Sequence, residues 1–374
     1  MKKIRILRII GECKTGGTET IALNYYKNID HDKIKMDFLF YGDSLERFDD
    51  ELKKYGDKVY NVDLYSKHMI KSIIQIKEIV KENKYDIVHS QLNALNFFPL
   101  LGAKLGGAKI RVASNHSTAN LKYEKKKSIL KYLLRPTCAM TANHYAACSK
   151  YAGKWAFGNK KNIKIIHNAI DLSKFRYSDE IRNTVRKKEN WNDKFVIGHV
   201  GRFVAQKNHK FIIDVFSEVL KRKSNSILIL IGEGELEQEM KKYVKELGIE
   251  KNVFFYGVRF DVHELLQGMD IFLFPSLYEG LGNVITEAQA VSLQSVVSTA
   301  VPKEVKQTEF VEFVELNNNV NEWVDTVLRY SNNYRRRDTY NDLVEAGYEI
   351  KSAAKDLEDY YLSLVRKENE KKLY

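Results

Sequence analysis

The sequence predicts an α/β protein of two doubly wound parallel sheets. Short apolar segments alternate with helical stretches through the first half of the chain, and the alternation restarts after a polar, irregular stretch, Ser173–Lys194, read as linker and domain boundary. Glycines gather where the expected strands end, as at Gly232-Glu233-Gly234 and Gly257. In such sheets ligands sit beyond the carboxyl ends of the strands. A length of 374 residues gives room for two domains of about 150–200 residues.

In order, Ile4–Ile10 reads as a first strand. It runs into Gly11-Glu12-Cys13-Lys14-Thr15-Gly16-Gly17-Thr18-Glu19 and a helix over Thr20–Asn28. A glycine turn from strand to helix lets backbone approach an anion closely, though this one is neither a Walker loop nor a full G-x-G-x-x-G. Further strands are expected over Met36–Tyr41, Val59–Val62, Asp86–Ser90 and Ile110–Ser114, with helices over Ile70–Glu82 and Ala94–Leu105 between them. His89 and His116 fall at strand ends, where a histidine serves structure more often than chemistry. Ile163–Ile166 and His167-Asn168-Ala169-Ile170-Asp171 make a strand and turn.

Past the linker, strands are expected at Val196–Val200, Ile227–Ile231, Val253–Tyr256, Ile271–Phe274, Val296–Ser298 and Phe310–Leu316. Helices fall over His209–Arg222, Leu236–Leu247 and Val262–Gly268, and a long charged helix over Asn341–Lys371.

Hydrophobic residues make up 44% of the chain and charged ones 29%, which suits a soluble globular protein. No apolar run approaches the ~18–20 residues of a membrane span. The opening MKKIRILRII threads charges through its apolar residues, unlike a signal peptide. Cys13, Cys138 and Cys148 lack metal-ligand spacing, so a reducing cytoplasm is expected. Residues 1–172 hold 31 Lys+Arg against 17 Asp+Glu, and this +14 exceeds the +12 of the whole chain. A basic half implies an anionic partner. Within it, Leu121–Arg135 sets Ile129, Leu130, Leu133 and Leu134 among Lys125, Lys126, Lys127, Lys131 and Arg135. That is the pattern of a helix lying on an anionic membrane surface, and also of an ordinary amphipathic helix with a solvated face.

The chemistry centres on Met269–Ala290, MDIFLFPSLYEGLGNVITEAQA. A buried strand is stopped by Pro275, a turn carries Glu279, Gly280, Leu281 and Gly282, and Asn283–Ala290 continues as helix. Free N–H groups at a helix start suit a phosphate. Glu279 and Glu287, eight positions apart, can each accept hydrogen bonds from a diol. Arg202 and Lys207 follow another strand and can neutralise a diphosphate as its bond to a sugar breaks.

Jointly these features resemble a retaining glycosyltransferase of family 4, of the type found in bacterial capsule and exopolysaccharide synthesis. The family's E-x7-E pattern stands as Glu279 to Glu287, its G-R-x4-K pattern as Gly201, Arg202 and Lys207, and its first glycine loop as Gly16-Gly17-Thr18-Glu19. HNAID stands where many members have PNGID. The resemblance implies the GT-B fold: two facing Rossmann-like domains with a cleft between them and a C-terminal helix crossing back. On that plan residues 1–172 bind the acceptor, 173–350 bind the nucleotide-sugar, and 351–374 form the returning helix.

It further implies that Arg202 and Lys207 hold the donor diphosphate, Glu279 the transferred sugar and Glu287 the ribose. Backbone of Leu281, Gly282, Asn283 and Val284 would face the donor. Gly16 and Gly17 would lie beside the diphosphate, Gly257 and Val258 beside the base, and His116 near the anomeric carbon. No metal or other cofactor is expected. The donor is taken as a UDP-sugar and the acceptor as lipid-linked or an oligosaccharide. The protein is expected in the cytoplasm, peripheral on the inner face of the membrane, with no nucleic-acid partner. Front-side substitution with retention is the expected route. Ser292 and Gln294 depart from the family's glycine and proline. Other readings are a nucleotide-sugar epimerase of similar fold and, from a different class, a nucleic-acid-binding protein.

Overall fold

The computed structural model describes residues 3–12, 17–43, 46–118, 125–160, 162–316, 319–331 and 334–371. The chain divides into two compact units, Met1–Asp171 with Gly347–Tyr374, and Leu172–Ala346. Each is a parallel sheet flanked by helices.

Strands of the first unit are β1 (Ile4–Glu12), β2 (Ile34–Tyr41), β3 (Val59–Val62), β4 (Ile87–Ser90), β5 (Ile110–Asn115), β6 (His144–Ala147) and β7 (Ile163–Ile165), in the order β3-β2-β1-β4-β5-β6-β7. Helices α1 (Gly17–Asn28), α2 (Glu46–Lys53), α3 (Tyr65–Asn83), α4 (Phe97–Leu105), α5 (Lys125–Leu134) and α6 (Lys150–Phe157) connect them. Alternate residues of β1 face opposite cores, as the two-residue period of a strand requires. Ile6 and Ile10 pack on one side with Tyr25 of α1, and Leu7 and Ile9 on the other with Ile76 of α3.

In the second unit α7 (Asp179–Lys188) precedes β8 (Phe195–Val200), α8 (His209–Arg222), β9 (Ser226–Ile231), α9 (Glu237–Glu246), β10 (Val253–Phe255) and α10 (Val262–Gly268). Then come β11 (Ile271–Phe274), α11 (Asn283–Ala290), β12 (Ser295–Ser298), β13 (Val311–Val314), α12 (Val320–Arg329) and α13 (Tyr340–Glu345). The strand order is β10-β9-β8-β11-β12-β13. β8, β9 and β11 are buried almost throughout, so they read as continuous apolar runs instead of alternating ones.

The chain then rejoins the first unit. Ile170 and Glu349 form a β-bridge, and α14 (Ile350–Glu370) packs against α1. Ile350, Ala354, Leu357, Tyr361 and Leu364 supply the buried stripe. The i, i+4, i+7, i+11, i+14 spacing is that of one helix face.

Two expectations need correction. The stretch Ser173–Lys194 is not irregular: it contains α7, whose start Ser178 caps by accepting a hydrogen bond from Ile181 N. The single helix expected over Asn341–Lys371 is two, α13 and α14, because Gly347 takes φ +84° between them. His89, at the end of β4, serves structure, the commoner role for a histidine there. It is fully buried, its Nδ1 lies 2.6 Å from Tyr361 Oη on α14, and burial followed by the nearby Arg8 guanidinium keeps its imidazole neutral.

Candidate active site

In the second sheet β8 lies between β9 and β11, so the winding reverses between β8 and β11. At such a point the loops beyond the two strands diverge and leave a crevice. Arg202 and Lys207 follow β8, and Glu279 follows β11. The two loops are sewn together. Leu277 N donates to Gln206 O at 2.8 Å, Gln206 Nε2 to Tyr278 O at 2.9 Å, and Asn208 Nδ2 to Pro275 O at 3.3 Å.

This register brings the ammonium of Lys207 to 2.5 Å from Glu279 Oε1 and 4.6 Å from the centre of the Phe274 ring. Glu279 is buried and Lys207 half-buried, so the pair is short and partly dry. Arg202 is exposed, and its guanidinium makes no ion pair with a described residue. Glycine is demanded by close approach: a Cβ on Gly232, at φ +134°, would collide with the carbonyl oxygen of Gly201.

Beyond Glu279, Gly282 adopts φ +93° and forms the N-cap of α11, with Ile285 N donating back to its carbonyl at 3.0 Å. As a glycine, Gly282 offers no side-chain cap. Asn283 and Val284 therefore open it with first-turn N–H groups that have no acceptor inside the helix, while Leu281 is buried beneath. Glu287 sits on the second turn, half-buried, and burial pushes its carboxyl up to about 7. Gly257, at φ +63°, follows β10 and accepts from Gly232 N at 2.8 Å; Val258 beside it is exposed.

His116 belongs to the first unit, just past β5. Its backbone N donates to Asn93 Oδ1 at 2.6 Å. Its Nδ1 lies 3.4 Å from Asn168 Oδ1, so that nitrogen carries the proton. Nε2 then accepts, with Ser114 Oγ at 3.1 Å and Gln91 Nε2 at 3.2 Å. Burial, then Arg8, lowers the imidazole to about 4. Gly17 opens α1 and is exposed, whereas Gly16 lies outside the described residues.

The structure thus puts Arg202, Lys207, Gly257, Val258, Glu279, Leu281, Gly282, Asn283, Val284 and Glu287 on one edge of one sheet. Direct contact is made between Lys207 and Glu279. Sequence reasoning missed Gln206, Asn208 and Asn168. The first two flank Lys207 but bind backbone of a distant loop, which no local pattern signals; Asn168 lies inside HNAID. Among the described residues no group of three or more His, Cys, Asp or Glu could hold a metal ion, and no helix is long and apolar enough to cross a membrane. Cys138 and Cys148 are buried and form no disulfide with a described residue.

Comparison with known proteins adds to this geometry. The family model described as glycosyl transferases group 1 matches residues 181–350, and that of glycosyltransferase family 4 matches residues 15–174. A protein named as a glycosyltransferase, EpsF of Bacillus subtilis (strain 168), is 28% identical over 87% of this chain and 87% of its own length. The UDP-Gal:alpha-D-GlcNAc-diphosphoundecaprenol alpha-1,3-galactosyltransferase of Escherichia coli is 25% identical over 79% of this chain and 80% of its own. The crystal structure of Anabaena Alr3699/HepE in complex with UDP-glucose superposes with a TM-score of 0.73 at 18% identity, covering 99% of both chains.

Proposed function

Because the chain is a GT-B-fold glycosyltransferase related to the group 1 and family 4 enzymes of bacterial capsular and exopolysaccharide synthesis, we propose that it moves a sugar from a UDP-sugar to a lipid-linked or oligosaccharide acceptor with retention at the anomeric carbon. The observation that carries this reading is the contact between Lys207 and Glu279. It joins a cation able to meet a diphosphate to a carboxylate able to accept from sugar hydroxyls, four positions before the start of α11.

In this reading the leaving UDP gains charge as the glycosidic bond stretches. Lys207, Arg202 and the start of α11 offset that charge, so their effect is largest in the transition state. Glu287 accepts from the ribose diol, Gly257 and Val258 border the base, and Glu279 orients the transferred sugar while holding Lys207. The acceptor hydroxyl attacks from the leaving-group side and passes its proton to the departing phosphate oxygen. His116, a neutral imidazole protonated on Nδ1, accepts at Nε2 from a hydroxyl of the transferred sugar that displaces Ser114 and Gln91 from that nitrogen. The E. coli relative supports both a UDP-linked donor and a lipid-linked acceptor.

Peripheral attachment to an anionic membrane fits α5, where Ile129, Leu130 and Leu133 are exposed large apolar side chains. The stereochemical claim is tested by proton NMR of the first product formed from an α-linked UDP-sugar. An α-linked product is expected, and a β-linked one refutes retention.

A further inference from the structure

A charged side chain stands where the pattern of β1 calls for an apolar one. Ile6, Arg8 and Ile10 share a face of the strand by its two-residue period, and Ile6 and Ile10 pack with Tyr25. Arg8 is fully buried, its guanidinium carbon 5.9 Å from the centre of the Tyr25 ring. Its register partner on β4 is His89, whose Nδ1 lies against Tyr361 Oη of α14. Tyr25 Oη donates to His167 O at 2.6 Å, so each of these phenols is engaged elsewhere. None of the three guanidinium nitrogens has a hydrogen-bond partner among the described residues. An enclosed cation without an acceptor destabilises a fold, and an apolar side chain of similar reach would not. Stability does not account for Arg8.

We propose that Arg8 is a positioning residue for His116: a fixed cation enclosed beside it, which keeps a proton off Nε2 and leaves that nitrogen an acceptor when the anionic donor is bound. The inference rests on the contact between His116 and the transferred sugar proposed above, and adds the residue that sets the charge of that contact.

The groups that face His116 leave this task to Arg8. Gln91, Asn93, Ser114 and Asn168 are its hydrogen-bond partners, and all four are neutral. Of the titratable groups, His89 is itself held neutral beside Arg8, and His167 precedes Asn168 in the same turn. Glu19 of α1 lines a cavity with Gln91 and Asn93. Arg8 supplies the fixed positive charge, and after burial it is what lowers the His116 imidazole. In an enclosed setting a charge acts on its neighbours without contact, because little water screens it. A bound diphosphate favours a proton on any nearby imidazole, and Arg8 opposes that gain. Arginine suits the task because its charge survives burial, whereas a buried lysine readily loses its proton as pH rises.

The test is the titration of His116 in the whole chain, read by NMR of labelled histidine with and without UDP, beside the pH profile of donor turnover. His116→Ala assigns the signal. In Arg8→Met the His116 midpoint is expected about one pH unit or more above that of the wild type, and higher again with UDP. The acid limb of kcat should move up with it, and by more than the limb of kcat/KM, which reports the free enzyme. Arg8→Lys, still charged below neutral pH, should restore the wild-type limb. In the His116→Ala background Arg8→Met should no longer move the limb. The unfolding midpoint of Arg8→Met should match or exceed that of the wild type, which a structural role would not give. An unmoved His116 titration, or an Arg8→Met chain that melts lower or fails to fold, would overturn the assignment. Wild-type turnover in His116→Ala removes the sugar contact and the inference with it, whereas slowed turnover with an unmoved titration removes Arg8 alone.

Discussion

Lys207 Nζ lies 2.5 Å from Glu279 Oε1, although the two residues are 72 positions apart and follow different strands. In the proposed donor complex each has a second task, so neither variant is expected to be neutral. Lys207→Ala is expected to slow donor cleavage by about 10²–10³-fold, the range for losing one charge-stabilising donor. It takes from the buried Glu279 carboxylate the ammonium that pairs with it, so the unfolding midpoint also drops. Lys207→Ala combined with Glu279→Gln should be more stable than the sum of the single losses predicts, by on the order of 1–3 kcal/mol. Additive losses in chemical denaturation would mean that the contact contributes nothing.

Glu287 gives a pH signature. Its carboxyl rises from 4.5 to about 7 in the folded protein. A raised folded value favours the fold below the unfolded value of 4.5, and that contribution is lost as pH climbs through 7. At pH 8 the folded chain holds an ionised, half-buried carboxylate at a cost of about 1–3 kcal/mol, after allowance for its exposure. Glu287→Gln should therefore unfold at a higher temperature than wild type at pH 8, with the gap closing toward pH 5.

Through its proposed contact with the ribose, the same residue is expected to link protons to the donor. A carboxylate accepts from a ribose diol better than a carboxylic acid does, so UDP affinity should rise between pH 6 and 8 in the wild type and stay flat in Glu287→Gln. Calorimetric titration at the two pH values reads this directly. Parallel pH profiles would take Glu287 out of the nucleotide site.

Asn168 and His116 should behave as a unit, since Asn168 Oδ1 selects the tautomer that leaves Nε2 as acceptor. Asn168→Ala is expected to lower turnover by about 5–20-fold, a smaller loss than His116→Ala, with the double variant no worse than His116→Ala alone. UDP affinity should not move in any of the three.

Ser292 accounts for one departure from the family pattern. It adopts φ +53°, a conformation that favours glycine, and its Oγ donates to the carbonyl oxygen of Arg337. Ser292→Ala keeps the strain and loses the bond, so a destabilisation of about 1 kcal/mol is expected. Ser292→Gly loses the bond but relieves the strain, so its unfolding midpoint should lie close to wild type.

The parts of this fold that could be read in advance are those where local pattern and tertiary role agree. β11, Gly282 and α11 announced themselves through an apolar run, a breaker and helical spacing, and the strand-end rule located Lys207 and Glu279 without knowledge of their contact. β6 was missed because His144–Ala147 has no β-branched residue, and its pairing with β5 and β7 is what makes it a strand. α7 was missed because its buried residue is Val185 alone, leaving no apolar stripe to detect, although Ser178, Asp179 and Glu180 carried a start signal. Gln206 and Asn208 were invisible as site residues because what they bind is backbone of a loop some 70 positions away.

The account's central claim is a donor site in the second unit that works through Lys207 and Arg202. The most direct measurement is release of nucleoside diphosphate from a panel of UDP-, GDP- and TDP-sugars, in chelator and without acceptor. Release from a UDP-sugar is predicted, insensitive to chelator and lost in both Lys207→Ala and Arg202→Ala. Release that needs a divalent metal, or that survives in both variants, would contradict the account.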